Sequence, residues 1–416
     1  MPGVTAAVEP RRQEENAFYF SRNLSALALS SAIKALGGFV GVYLPLYFVQ
    51  IGGNPTNLGL FTFAASLVQL LFLSIGGIIA DSYGRRRVIV FAALSGIVFP
   101  ALYALVQDWR TFGLLTVFAV VGAISSPATR ATVADSIPPA KRTTGIAALQ
   151  VVSSLPSVIS PSIGGWLMQR YGLENGFRMG CVYAAVFAFI ATAPLLVLLK
   201  ETVRSKSAQN AGSALRNAAY GLVKPSLSGL PLSLKVLMAS YALVAFANGA
   251  VSQYYILYAS RVVEITAFDW GAVVSLQFLL ASVLRIPGGW LSDRFGKKKA
   301  MTISLLTTIP VILVFTLSQS FIQVVVSALL LAAAGIYYAP AHEALQADLT
   351  PRSARGRISA LWDQSSAVAV GLGALVGGFA FEALGPAVPF YVFALAELGA
   401  VTLLITMVKE PQVREI

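Results

Sequence analysis

One cysteine, Cys181, and one histidine, His342, occur in 416 residues. That scarcity excludes a disulfide framework and a zinc centre built from those ligands. Charge is scarce too: Asp, Glu, Lys and Arg together make 12% of the chain, about half of what soluble domains carry. No cysteine–histidine nucleophile pair and no phosphate-binding glycine loop appear, so the sequence points away from an enzyme and implies no cofactor. What the chain has in quantity is apolar side chains, 56% of the total. That is enough for ten or more membrane spans of about 20 residues each.

Apolar runs fall at 24–50, 57–80, 88–109, 112–134, 144–168, 176–199, 235–260, 270–291, 300–319, 321–347, 358–382 and 386–408. None shows the two-residue alternation of a barrel strand, so twelve helices are expected. Residues before Arg22 are polar and carry Glu9, Glu14 and Glu15, so no cleavable signal peptide is expected. The net charge of +12 is explained by topology rather than by nucleic acid. Lys and Arg number 23 in alternate gaps and the termini against only four, Arg110, Arg170, Arg178 and Arg261, on the other side. An excess of cations marks the cytoplasmic face, which puts both termini there and the chain in the inner (plasma) membrane.

The first half recurs in the second at an offset of 212 or 213 residues. Gly77, Asp81, Gly84, Arg85 and Arg86 after the second run match Gly289, Asp293, Gly296, Lys297 and Lys298 after the eighth. Pro127 and Asp135 in the fourth run match Pro340 and Asp348 in the tenth, and Gly164-Gly165 matches Gly377-Gly378. Two like-oriented repeats of six spans follow. The divisions are 1–22 as an N-terminal segment, 23–199 as the first bundle, 200–234 as a linker, 235–408 as the second bundle and 409–416 as a tail.

The duplicated Gly-x-x-x-Asp-x-x-Gly-basic-basic loop within twelve spans resembles the major facilitator superfamily, and more narrowly its bacterial or archaeal proton-coupled drug and metabolite exporters. The resemblance covers almost the whole chain. It implies an all-α integral membrane protein of two pseudo-symmetric six-helix bundles, working by alternating access as a monomer, with spans 1, 4, 7 and 10 around a central cavity. It implies that Asp81 caps span 11 and Asp293 caps span 5, that Arg85 and Lys297 pair with Asp135 and Asp348, and that this loop machinery gates one face. Pro156, Pro161, Gly164 and Gly165 in span 5 resemble the glycine-proline motif of family antiporters, with Pro156 and Ser160 in place of its leading glycines. Proline and small residues together suit a hinge or sliding interface. An arginine common in span 4 of the drug antiporters is Phe118 here.

Six charges fall inside or near the ends of spans: Lys34, Arg130, Arg285, Glu343, Asp363 and Glu397. In hydrocarbon each is costly and needs a cavity or a partner. Lys34 is expected to face the solute. Arg130 and Glu343 hold equivalent places in the two repeats and form one candidate charge switch; Arg285 paired with Glu343 or Asp363 is the other. Glu343, then Asp363 and His342, are the candidate proton carriers. Glu397 has no assigned role beyond an interhelical hydrogen bond or a contact between proteins. Tyr43, Asn248, Gln253, Tyr255, Tyr338 and Trp362 are the remaining candidate cavity liners. An aromatic surface with few fixed charges suits a small amphipathic organic solute, exported against protons. The alternative is a proton-coupled organic-anion transporter using Lys34, Arg130 and Arg285. Protons and membrane lipids are the other expected partners.

Overall fold

The computed structural model describes residues 21–137, 149–202, 230–350 and 355–409, with side chains at 285–286, 289–293 and 355–357 outside that description. Among the described residues there is no strand. Twelve helices are long and apolar enough to cross a membrane. Spans 1 to 6 are Arg22–Gln50, Pro55–Tyr83, Arg85–Leu105, Trp109–Ser136, Leu149–Tyr171 and Leu173–Leu198. Span 7 is Leu232–Arg261, span 8 lies in the helix Ala267–Phe295, and spans 9 to 12 are Lys297–Phe315, Phe321–Leu349, Ile358–Leu384 and Val388–Met407. Most of the expected linker and both terminal segments lie outside the described residues.

Local chemistry sets the helix ends. Asn54, Asp108 and Thr266 each accept a backbone N–H of the first turn that follows, at the starts of spans 2, 4 and 8. Such side-chain oxygens satisfy amides that the helix leaves unpaired. The Thr111 amide and hydroxyl both donate to Asp108, holding its carboxyl below the usual carboxylate range. Spans 2 and 3 are joined by Gly84 alone, at φ +97°, and spans 8 and 9 by Gly296, at φ +89°. That region of backbone space penalises any residue with a Cβ. The repeat read from the sequence is therefore also a repeat of backbone conformation.

The first span of each triplet is broken. Span 1 yields at residues 36–38, span 4 through a 3-10 stretch at Val120–Ser125, span 7 at Gln253 and span 10 at residues 336–337. Ser160 repairs the break in span 1: its hydroxyl accepts the Phe39 N–H at 2.9 Å and donates to the Leu36 carbonyl at 3.0 Å. Span 5 has its own 3-10 break, Leu155–Val158, which contains Pro156.

The apolar core is divided unevenly. One cluster, built around Phe39, Tyr43, Tyr47, Tyr254, Phe315 and Phe390, takes residues from both bundles. It occupies the half of the molecule away from the basic loops. In the basic half the core splits in two, one part within the first bundle around Leu24, Ile89 and Leu195, the other within the second around Leu234, Met301 and Leu404. The halves are thus fused at one face, while at the other their apolar cores are separate.

Gly84→Ala is expected to cost about 1–2 kcal/mol and to lower the thermal unfolding midpoint in detergent. Gly77→Ala, whose new methyl meets only Pro127 at 3.7 Å, leaves the midpoint unchanged. Equal effects would show that the positive φ is not what the loop requires.

Candidate functional site

At the fused face two buried tyrosines do the same work in the two repeats. The Tyr43 hydroxyl lies 2.9 Å from the Pro161 carbonyl in span 5 and 2.8 Å from the Ala267 carbonyl at the start of span 8. The Tyr254 hydroxyl lies 2.7 Å from the Ala374 carbonyl in span 11 and 3.4 Å from the Pro55 carbonyl at the start of span 2. Each hydroxyl thus bridges one carbonyl of its own bundle and one of the other. A phenol has a single proton, so the two carbonyls compete for it. Glycines let the backbones come this close: a methyl on Gly165 would sit 2.7 Å from the Ala267 oxygen, and one on Gly378 would meet the Pro55 oxygen. Tyr43, expected on a cavity wall, is 0% exposed and ties bundles together instead. Gly164 and Gly165, expected at a hinge or sliding interface, let the backbone approach Phe39 and span 8 closely.

In the basic half the bundles part around cavities. One, of about 700 Å³, lies between spans 2, 4 and 11, with Ser74, Gly77, Pro127 and Gln364 on its wall. Another, of about 680 Å³, lies between spans 4, 7, 10 and 11, with Tyr241, Asn248, Glu343 and Trp362 on its wall. Arg130 and Asp363 line both. Their ion pair, 2.6 Å from Nη1 to Oδ2, joins span 4 to span 11 as a bar between the two openings. Gln364 donates to Ser74 at 3.1 Å beside it. The expected Arg130–Glu343 pair is not formed. The two residues hold equivalent positions on spans 4 and 10, but Asp363 on span 11 reaches the arginine first. The Arg285 side chain lies outside the described residues. Glu343 is exposed to the cavity and has no hydrogen bond or ion pair among the described residues.

His342, offered as a proton carrier, is 5% exposed and packed between rings. It stacks on Tyr241 at 4.3 Å and on Tyr338 at 5.7 Å, with Trp362 at 5.1 Å. That enclosure fits a packing role better than exchange with solvent. Lys34 is displaced from its expected place as well. It lines a separate cavity of about 170 Å³ inside the first bundle, among Ser30, Ser125, Thr129 and Thr192. A methyl on Gly96 of span 3 would lie 3.5 Å from its Nζ. The missing side chain at Gly96 gives the ammonium room to turn into its own bundle.

A third large cavity, about 620 Å³, lies within the second bundle and reaches Gly41 and Pro45 of span 1. Asn248, Tyr255 and Tyr338 line it as expected. Gln253 does not; it marks the break in span 7. Glu397 does, though its place in an otherwise apolar span 12 gave no hint of it.

The basic loops brace each bundle. Arg85 pairs with Asp135 at 2.5 Å and Lys297 pairs with Asp348, as the family resemblance implies. Arg86 donates to the Leu196 carbonyl at 2.7 Å and Lys298 to the Val408 carbonyl at 2.6 Å, equivalent bonds that join span 3 to span 6 and span 9 to span 12. Sequence reasoning missed Glu201, whose carboxylate accepts the N–H groups of Arg85 and Arg86 at 3.0 and 3.1 Å. Asp81 is exposed, with no hydrogen bond or ion pair among the described residues. Residues 351–354, which precede span 11, lie outside these, as do the surroundings of Gly289 and the side chain of Asp293.

Comparison with known proteins agrees with this architecture. The model of the Major Facilitator Superfamily matches residues 24–271 and 237–416. The chain is 26% identical over 325 residues to a multidrug resistance protein, MdtG, of Klebsiella pneumoniae, covering 76% of each. It is 25% identical over 348 residues to a multi-drug resistance efflux pump homologue, PmrA, of Lactococcus lactis, covering 80% of this chain and 82% of that one. Among solved structures, a peptide transporter in complex with sulfate superposes with a TM-score of 0.72 at 17% identity over 94% of each chain. A human organic anion transporter does so with a TM-score of 0.64 at 19% identity, over 92% of this chain and 99% of that one. Two fused six-helix bundles, duplicated loops and a family match over nearly every span lead to one conclusion: the chain belongs to the Major Facilitator Superfamily and is a multi-pass membrane transporter.

Proposed function

We propose that the protein is a proton-coupled exporter of small amphipathic organic solutes, working by alternating access as a monomer in the inner membrane. The observation that carries this reading is the uneven core, shared by both bundles at one face and split around drug-sized cavities at the other. Cavities of a few hundred cubic ångströms with mostly apolar walls suit organic ligands. The relatives named for multidrug resistance and efflux support export. With the cation-rich loops and both termini in the cytoplasm, the structure is the cytoplasm-facing state, sealed outside by the two tyrosines. The turning of Lys34 into its own bundle and the pairing of Arg130 with Asp363 leave the organic-anion alternative with little free positive charge in the pathway.

The Arg130–Asp363 pair then acts as a latch across the entrance, and Glu343, unpaired in the same cavity, exchanges protons with it. A half-exposed ion pair stabilises little, which suits a contact that must break in every cycle. Neutralising Asp363 frees the bundles to rock. The outer tyrosine bonds to the opposite bundle then break while those within each bundle remain. The basic loops close behind, with Asp81 and Asp293 meeting the starts of spans 11 and 5.

Tyr43→Phe with Tyr254→Phe removes the outer ties. The opening cost each change removes is the difference between a shared and a single hydrogen bond, at most about 1 kcal/mol, so each shifts the population toward the outward-facing form by at most roughly fivefold. Spin labels at Gln50 and Val262, read by pulsed dipolar spectroscopy, are expected to report a longer-distance population. An unchanged distribution would remove the tyrosines from the mechanism.

Asp363→Asn and Glu343→Gln are expected to abolish pH-gradient-driven solute accumulation in inside-out vesicles while leaving solute exchange measurable. Accumulation at the wild-type rate in both variants would end the proton-coupled reading. Asp81→Asn is expected to slow transport severalfold by loosening the closed inner face. Unaltered flux would reduce that loop to a topological anchor.

A further inference from the structure

Glu397 stands near the middle of span 12 and is the one charged residue of that helix. It is 3% exposed, yet its side chain forms part of the wall of the 620 Å³ cavity. No other lining residue of that cavity carries a charge. Among the described residues its hydrogen-bond partner is Thr308 of span 9. The Thr308 hydroxyl also lies 2.9 Å from the Leu305 carbonyl, and it has one proton to give. If that proton goes to Leu305, the carboxyl must supply its own to the Thr308 oxygen and is neutral. If it goes to Glu397, a carboxylate is left buried with one hydrogen bond and no cation, which a medium of low polarity penalises heavily. A wall with no cation therefore favours the neutral acid, and a cation entering the cavity would stabilise the anion.

The rest of the wall suits such a guest. Tyr255, Tyr338, Phe315 and Phe393 offer ring faces and edges, and rings attract cations stripped of water. Asn248 donates its amide to the Val244 carbonyl at 2.8 Å, and Gln277 donates to the Ala328 carbonyl at 3.0 Å. Both side chains are thereby turned so that their oxygens remain as acceptors. The first bundle has the opposite sign in the matching place. Gly96 stands in span 3 where Thr308 stands in span 9, and the Lys34 ammonium lies beside it. A cation is welcome in one bundle and repelled from the other.

We propose that the cavity of the second bundle is a binding site for an organic cation with an apolar, ring-bearing body, and that Glu397 is its counter-ion. The site names the solute chemistry of the exporter reading and rests on it to that extent. Binding converts the acid and the cation into an ion pair and sends one proton to water. The titratable groups facing Glu397 are the hydroxyls of Tyr255 on span 7 and Tyr338 on span 10; spans 1, 8 and 9 present none on this wall.

The test uses the purified full chain in detergent with tetraphenylphosphonium, whose charge is permanent, and tetraphenylborate, an anion of nearly the same shape. Calorimetry in buffers of different ionisation enthalpy is expected to show phosphonium binding with about one proton released per cation. Glu397→Gln, close in shape to the native acid, is expected to weaken binding about tenfold or more and to abolish the proton release. Glu397→Asp retains part of both. An unchanged melting profile in Glu397→Gln establishes that the variant is folded. Phosphonium affinity unaltered by Glu397→Gln, or equal binding of the borate, overturns the assignment. Because binding is measured apart from pH-driven flux in vesicles, the two readings separate. Glu397-dependent binding in a protein that shows no pH-driven flux supports the site and defeats the exporter. Flux with Glu397-independent binding does the reverse.

Discussion

A tyrosine hydroxyl held between two backbone carbonyls, one from each bundle, is the contact on which this architecture turns. It is strong enough to seal a face and weak enough to give up. Its proton is never lost to vacuum, because a carbonyl of its own bundle waits when the other leaves. The cost of opening is the difference between two hydrogen bonds rather than the loss of one. Small residues at the crossing points make this possible, since carbonyl oxygens approach one another only where Cβ atoms are absent. Symmetry doubles the device without adding new chemistry.

The fold was legible because its signals are local and repeated. Runs of about 20 apolar residues, a glycine where the chain reverses and cations on alternate loops each follow from the membrane as solvent. The pairs of Arg85 with Asp135 and Lys297 with Asp348 were supplied by the family resemblance, and each lies within its own bundle. Contacts between bundles were harder. Arg130 has several carboxylates at plausible depth, and only the approach of span 11 decides for Asp363. Tyr43 was misjudged because a tyrosine on a cavity-lining helix can face either the opening or the neighbouring helix. A single sequence gives depth along a span but little about its rotation. Glu397 was expected to make an interhelical hydrogen bond or a contact between proteins; the structure shows the hydrogen bond, but its partner, Thr308, lies 89 residues away on another helix and could not be named from the sequence.

Charge in this molecule is sorted by how far it must travel. Pairs that brace the basic loops stay within a bundle and have no reason to open. The pair that crosses between bundles is the exposed one, with Arg130 more than half open to the cavity. Lys34 lines a cavity of the first bundle and Glu397 is buried in the second, one of each sign. Between the bundles there remain the Arg130–Asp363 pair, the exposed acid Glu343 and aromatic walls.

The carboxylate of Glu201 bears on where the first bundle ends. By hydropathy the bundle stops at Leu199, yet Glu201 closes the first turn of span 3, and Thr202 accepts a further bond from Arg85 at 3.2 Å. A fragment cut at the last apolar residue would strip two amides of their partners at the end of a distant helix. The bonded structure of the first bundle therefore runs through Thr202, beyond the last apolar residue.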